Sequence, residues 1–540
     1  MAKVEMKNYY YFSFQYSAIQ KTVLQHDRLW SIAGISQTLS CLNEIELPRI
    51  VEKLTEIEKP VLVAGGGKFT ARFGSEDEAS EAKAEIIKIV STTFPMLEFQ
   101  VSSIKRASTF KEAKDKCILE GINKQKRLFR GYGVTFNPHF KICNECGEYP
   151  AINDYNKRID EQNVCAVCHS SYKTRVNLKK LKEVDANYLT TLQRIYKLYM
   201  ENVPATNVEK VPLDFEELFD KGEKSERKRM AVWFSDLNNM NKKVPLWLGL
   251  EEDKILATFK TVTDINIEII TTALKKTFPK PEGTFLPFRL VVAGGDDLCL
   301  VMPESYILDF TVNLSKALNE KRNNFNDDNP LSENWLKKQR EKQNQSDKTD
   351  KTSESGCSKK SKQDDSHGIE PYCFGGSFVV TSIHTPFKKI HAVGEKLMGT
   401  AKEKTKRKAN SVNWVVMAAE EDPLSEKLFE LEKPLFIDED KGVFSDNRLT
   451  FNKYVQICRF YSKFLTKTSV QQIVSIMTKE KGDSLKVERQ LKRYAASEGQ
   501  KGVGYILVDQ NFRQSDGAFK CARLATLLEL MTIQGRFQNE

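Results

Sequence analysis

Leu290–Pro303 reads L-V-V-A-G-G-D-D-L-C-L-V-M-P. Two apolar runs of strand length flank a Gly-Gly-Asp-Asp turn, which predicts a β-hairpin. Glycines at 294 and 295 permit the positive backbone dihedrals of a tight turn and let a bulky ligand approach the backbone. Two neighbouring carboxylates between apolar strands are costly unless something positive compensates them. A third acid lies upstream, where Asp236 ends the strand-like run M-A-V-W-F-S. If the two strands are neighbours, Asp236, Asp296 and Asp297 converge at one sheet end. That is an all-oxygen donor set suited to Mg2+ (or Mn2+) beside nucleotide phosphates. Two such ions about 3.5–4 Å apart activate an attacking hydroxyl and stabilise a pyrophosphate leaving group. A plain surface hairpin is the bland alternative for G-G-D-D taken alone.

The hairpin has an echo. Residues 62–69 read L-V-A-G-G-G-K-F, and each glycine turn follows an F-S strand, Y-Y-Y-F-S-F-Q at 9–15 and A-V-W-F-S-D-L at 231–237. Phe14 precedes Gly67 by 53 residues, and Asp236 precedes Asp296 by 60. Helix-like sequence lies between strand and hairpin in both copies. It also follows both hairpins, as S-E-A-K-A-E-I-I-K-I-V in the first and P-F-K-K-I-H-A-V-G-E-K-L-M-G-T-A-K in the second. Strand–helix–strand–strand–helix with a further strand is the ferredoxin-like order, a sheet with helices on one face, and it occurs twice. The first copy carries Phe14, Gly67 and Lys68 where the second carries Asp236, Asp296 and Asp297. The acids differ as a group, which points to chemistry rather than to folding.

Between the copies stand Cys143-x-x-Cys146 and Cys165-x-x-Cys168, 18 residues apart. That spacing predicts a closed four-thiolate zinc site with a structural role, with His169 as an alternative ligand. Residues 336–368 hold almost nothing apolar and are expected to be a disordered loop. Beyond residue 420 apolar residues recur at three- and four-residue steps (Phe451, Tyr454, Val455, Cys458, Tyr461, Phe464, Leu465), predicting a helical domain. The eleven cysteines are odd in number and mostly scattered, which suits a reducing cytoplasm over a disulfide framework. A net charge of +10 allows phosphate contacts without requiring them, and no apolar run is long enough to span a membrane.

As a set, the G-G-D-D hairpin, F-S-D-L-N-N-M-N, G-G-G-K-F, the A-K helix and the paired C-x-x-C motifs resemble the large palm-domain subunit family of type III CRISPR effector complexes, the Cas-ten family. The resemblance implies an α+β chain with two ferredoxin-like palm (nucleotide cyclase/polymerase-like) domains. The expected divisions are a degenerate first palm over 1–135, a zinc insert and helical linker over 136–215, a catalytic palm over 216–420 and a helical domain over 421–540. It further implies a metal-dependent nucleotidyltransferase that joins ATP into cyclic (oligo)nucleotide messengers in antiviral defence. Asp236, Asp296 and Asp297 would be its metal ligands, Lys402 a phosphate contact, and Gly294, Gly295 and Asn238 parts of the nucleotide site. The family's D-x-D-N-x-G reads Asp236-Leu-Asn238-Asn239-Met-Asn241 here, so Asn238 keeps an oxygen but loses a charge. Guide and target RNA, other CRISPR-type subunits and a messenger-activated effector are the implied partners. His26-Asp27 reads as an ordinary helix surface, so the family's HD nuclease is not expected. A non-catalytic nucleotide- or RNA-binding scaffold, or a stand-alone defence cyclase, are the rival readings.

Overall fold

The computed structural model describes residues 8–16, 23, 26, 28–94, 99–113, 141–147, 150–151, 163–173, 176–203, 208–219, 228–349, 371–417, 431–438, 449–480, 483–497, 501–513 and 519–534. Its first unit runs β1 (Tyr9–Tyr16), α1 (Leu29–Cys41), α2 (Leu47–Leu54), β2 (Val61–Gly65), β3 (Lys68–Phe73), α3 (Glu76–Thr93), β4 (Phe99–Val101) and β5 (Lys105–Ala107), which also pairs with β1. The strand order is β2-β3-β1-β4, antiparallel throughout. The start of α3 shows how local sequence sets an element. Ser75 caps it by accepting from the Glu78 amide, three acids fill its first turn, and Ala79, Ala82, Ile86 and Val90 recur on the buried face.

The cysteine insert contributes α4 (Ala166–Lys173), and α5 (Thr191–Asn202) leads to the second unit. That unit runs β6 (Arg229–Leu237), α6 (Met240–Leu248), α7 (Glu252–Thr277), β7 (Arg289–Gly294), β8 (Asp297–Pro303), α8 (Ile307–Asn323), α9 (Glu333–Thr349), β9 (Phe374–Ser382), α10 (Phe387–Lys404) and β10 (Ser411–Val416). With β11 (Leu435–Phe436) the sheet order is β11-β10-β9-β6-β8-β7. The four strands at one end, β7-β8-β6-β9, repeat the order of the first sheet, so the ferredoxin-like topology is present twice.

The second unit departs from the sequence reading in three ways. The helix that follows its hairpin is α8, whose Ile307, Phe310, Val312, Leu314, Ala317 and Leu318 are buried. The segment P-F-K-K-I-H-A-V instead forms α10, the crossover between β9 and β10, which pair in parallel and so need a helical connection. Helices therefore cover both faces of this sheet. On β6, Ala231 and Trp233 point to the core shared with α7 and α8, while Val232 and Phe234 point to the one shared with α10. Trp233 lies edge-on to Phe310 at 5.8 Å and Phe234 edge-on to His391 at 5.7 Å. Lastly, residues 336–349 of the expected loop are helical. Their Lys, Gln, Glu and Arg are good helix formers, and Leu336 is fully buried. Residues 350–368 lie outside the described residues.

The two units pack reciprocally. Helix α1 of the first lies on β7 of the second, and α7 of the second lies on β2 of the first. The glycine turns consequently meet, and a β-carbon at Gly295 would stand 3.8 Å from Gly66 Cα. At the start of α7, Glu252 accepts hydrogen bonds from Tyr11 Oη (2.7 Å), Arg72 NH1 (2.6 Å) and the Phe110 amide (2.6 Å), all of the first unit.

Among the described residues, five α-helices follow: α11 (Phe451–Tyr461), α12 (Lys467–Lys479), α13 (Ser484–Ser497), α14 (Lys501–Val508) and α15 (Cys521–Gln534). Phe451 packs on Trp414 of β10 at 5.6 Å, and Trp414 Nε1 donates to Glu529 at 2.8 Å. Phe464, expected in this core, is exposed beside Phe460 and Tyr505. Among the described residues, no helix is long and apolar enough to cross a membrane.

Candidate active site

Strands β6 and β8 are antiparallel neighbours, and Asp236 is paired directly with Asp297. Residues opposite each other on adjacent strands project to one face. By its parity with Phe234, that face is the one α10 covers. Asp296 occupies the turn before β8. One carboxylate oxygen from each of Asp236, Asp296 and Asp297 falls within 4.8 Å of the others. The second link is on α10, where Lys402 Nζ donates to Asp236 Oδ2. Lys402 crosses β9 to get there, over Gly375, the residue that pairs with Asp236 on its other side. A β-carbon at Gly375 would stand 2.3 Å from Lys402 Cγ, so only glycine leaves that path open.

One lysine does not balance three acids. Burial, then the charge of Asp236, raises Asp296 from 3.8 to about 6. Burial, then Asp296, Asp236 and Glu395, raises Asp297 to about 7. Among the described residues, Asp236 Oδ1 is buried without a hydrogen-bond donor. A proton held on Asp296 would satisfy it, and so would a divalent cation. The three-oxygen donor set and that orphaned atom fit a hard cation such as Mg2+.

Asn238 lies two residues beyond Asp236, past the end of β6. It is fully buried, its amide nitrogen donating to Cys373 Sγ at 3.3 Å while Oδ1 is buried without a partner among the described residues. Gly294 ends β7, opposite Asp297, and Gly295 takes φ 63° in the turn. The sequence reading missed Gly375 and Glu395. The second glycine pair, F-G-G-S at 374–377, was the available signal for the first, and the i, i+7 spacing of Glu395 and Lys402 on α10 for the second.

Strand pairing also corrects the comparison of the two copies. Ser235 faces Leu298 across the second sheet, whereas Phe14 faces Phe69 across the first. Phe69 and Leu298 hold equivalent places after their turns, so the counterpart of Asp236 is Gln15, which pairs with Lys68. The shared F-S dipeptide misled by one position. The first copy thus offers Gln15, Gly67 and Lys68 in place of the three acids.

No protein-family model matches the chain. No curated protein matches it either. Among solved structures, Csm1 in T. onnurineus is matched over 98% of this chain and 70% of its own, with a TM-score of 0.50 at 12% identity. The fold is that of Csm1. An apo Csm1–Csm4 cassette is similar at a TM-score of 0.49, with 12% identity and the same coverage of 98% and 70%. A Csm1–Csm4 cassette in complex with one ATP gives the same four values. The resemblance drawn from the motifs thus holds at the level of the Csm1 fold.

On this Csm1-like frame the cysteine insert is docked against α1. Sγ atoms of Cys143, Cys146, Cys165 and Cys168 lie within 4.8 Å of one another, with Cys146 and Cys165 at 3.9 Å. Sulfurs around a tetrahedral ion with Zn–S bonds of about 2.3 Å would stand about 3.8 Å apart. The four-thiol donor set therefore fits zinc. Gly147 (φ 67°) turns the first knuckle by donating its amide to Cys143 O, and α4 begins directly after Cys165. A β-carbon at Gly34 of α1 would stand 2.4 Å from Ser171 O of α4, so these helices touch backbone to backbone. His26 is likewise not on a helix surface as expected. It is buried, its Nδ1 3.1 Å from Ser31 Oγ.

Proposed function

We propose that the chain is a metal-dependent nucleotidyltransferase that condenses ATP into cyclic (oligo)nucleotides. The observation that carries this reading is the convergence of Asp236, Asp296 and Asp297, with a buried Asp236 oxygen lacking a donor among the described residues. Divalent cations held there would lower the pKa of an attacking 3′-hydroxyl and neutralise the leaving pyrophosphate. In the reaction, the 3′-oxygen forms a bond to the α-phosphorus of a second nucleotide, the bond to the β-phosphate oxygen breaks, and the hydroxyl proton passes to solvent.

The protein's own part is placement. Asp236 and Asp297 are fixed by the sheet register, and Asp296 by the turn. Lys402 holds a positive charge against the acids and is available to phosphate oxygens. Gly294 and Gly295 leave the turn open to a triphosphate. The facing turn of the first unit, with Lys68 in the place of Asp297, offers a surface for the second nucleotide. RNA and other subunits of an RNA-guided defence complex are the proposed partners.

A scaffold that binds nucleotide without turning it over is the second reading. It draws on the closed Lys402–Asp236 pair and on the Asn238 amide, whose nitrogen is engaged by Cys373 Sγ. Incubating purified protein with ATP and Mg2+ or Mn2+, with and without RNA, separates the two. Mass spectrometry should find cyclic oligoadenylates that disappear in an Asp296→Ala/Asp297→Ala variant. Absence of product under every condition would favour the scaffold.

A further inference from the structure

Besides the Leu237 amide of β6, which donates to Asp296 O at 3.1 Å, a side chain outside the hairpin holds the Gly-Gly-Asp-Asp turn. Asn266, on α7, donates from Nδ2 to the carbonyl oxygen of Gly295 at 2.9 Å. Its Oδ1 accepts from the hydroxyl of Tyr372, a residue 1% exposed just ahead of β9. With the amide oxygen taken by Tyr372, the nitrogen is aimed at the turn, so the Asn266 orientation is fixed from both ends. Tyr372 is itself wedged against Phe325, with ring centroids 6.0 Å apart. In sequence, Asn266 alternates with Ile265 and Ile267, in a stretch of α7 that also carries Asp264 and Glu268.

We propose that Asn266, backed by Tyr372, is a positioning residue that sets the Gly295–Asp296 turn so that the Asp296 and Asp297 carboxylates stand at metal spacing with Asp236. The inference rests on the metal-site reading above. Gly295 has φ 63°, a conformation shared by many alternative turn geometries. Without a fixed donor on its carbonyl, mutual repulsion of the acids would open the turn. The clamp also ties this turn to the first unit, because α7 lies on β2 and is anchored there through Glu252.

The test is Mn2+ titration of the full-length protein, followed by the paramagnetic resonance signal of free Mn2+ in the absence of ATP. Asn266→Ala and Tyr372→Phe should bind Mn2+ about tenfold or more weakly than wild type, as loss of a group orienting a metal ligand does. Asn266→Asp, which keeps the acceptor for Tyr372 but loses the donor to Gly295, should be as weak as the alanine variant. Thr263→Ala, one turn away on the same helix, is the control for general disturbance of α7 and should bind as wild type does. Wild-type affinity in a folded Asn266→Ala protein would overturn the clamp while leaving the metal site standing. No Mn2+ binding by the wild type would overturn the metal site itself, and the clamp with it.

Discussion

Lys402 and Asp236 come from elements 166 residues apart in sequence, and they form an ion pair across the end of the second sheet. The lysine reaches the acid along the groove left by Gly375. The pair supplies one positive charge to a group of three acids and leaves the remainder for a cation.

Gly375→Ala should therefore act on the site through Lys402. A β-carbon in the lysine's path forces the side chain or β9 to shift, at a cost of about 1–3 kcal/mol. Urea denaturation should show that loss, and nucleotidyl transfer should fall more steeply than stability. Unchanged turnover would show that Lys402 need not stand at Asp236.

The stability of the metal-free protein should fall as pH rises through the neutral range. Asp296 and Asp297 are raised from 3.8 to about 6 and about 7, so between pH 4 and 7 the folded state binds more protons than the unfolded state. Stability rises with pH where the unfolded state binds more protons, so here it must decline. The contribution is fully present below about pH 4 and is lost by about pH 7. Melting curves at pH 5.5 and 8 should show a smaller difference in Asp296→Asn/Asp297→Asn than in wild type. Added Mg2+ should raise the melting temperature more at pH 8 than at pH 5.5, since the ion competes with protons for the same oxygens.

Zinc analysis of protein purified under reducing, chelator-free conditions should find about one ion per chain, as a four-thiolate site predicts. Cys165→Ser/Cys168→Ser should abolish it and lower the melting temperature, because the insert lies on α1 through the Gly34–Ser171 contact. Absence of zinc in the wild type would leave the four thiols without a role as metal ligands.

Glu252→Ala should loosen the contact between the units. Removing it leaves Arg72 (side chain 11% exposed), Tyr11 and the Phe110 amide without that acceptor. Loss of one partner of a largely buried pair costs about 3–5 kcal/mol. Denaturant unfolding should show that drop, whereas Glu251→Ala, with an exposed neighbouring side chain, should change stability little.

The duplicated hairpin and its order of elements were legible because glycine turns and apolar strands are local signals. The convergence of the acids followed from one assumption, that β6 and β8 are neighbours, which the register bears out. What escaped was non-local. Taking α10 for the helix after the hairpin overlooked that a parallel strand pair also needs a helix, and α8 filled the expected slot. Aligning Phe14 with Asp236 trusted a dipeptide where only pairing fixes register. Gly375 and Glu252 act through partners many positions away, which no periodicity reports.

The reciprocal packing of α1 on β7 and α7 on β2 makes the two halves interdependent. Each glycine-turn hairpin is braced by a helix belonging to the other half, so neither half is a detachable module. The copy without acids is then a buttress for the copy that has them, and damage to its α1 face would be felt at a turn more than two hundred residues downstream.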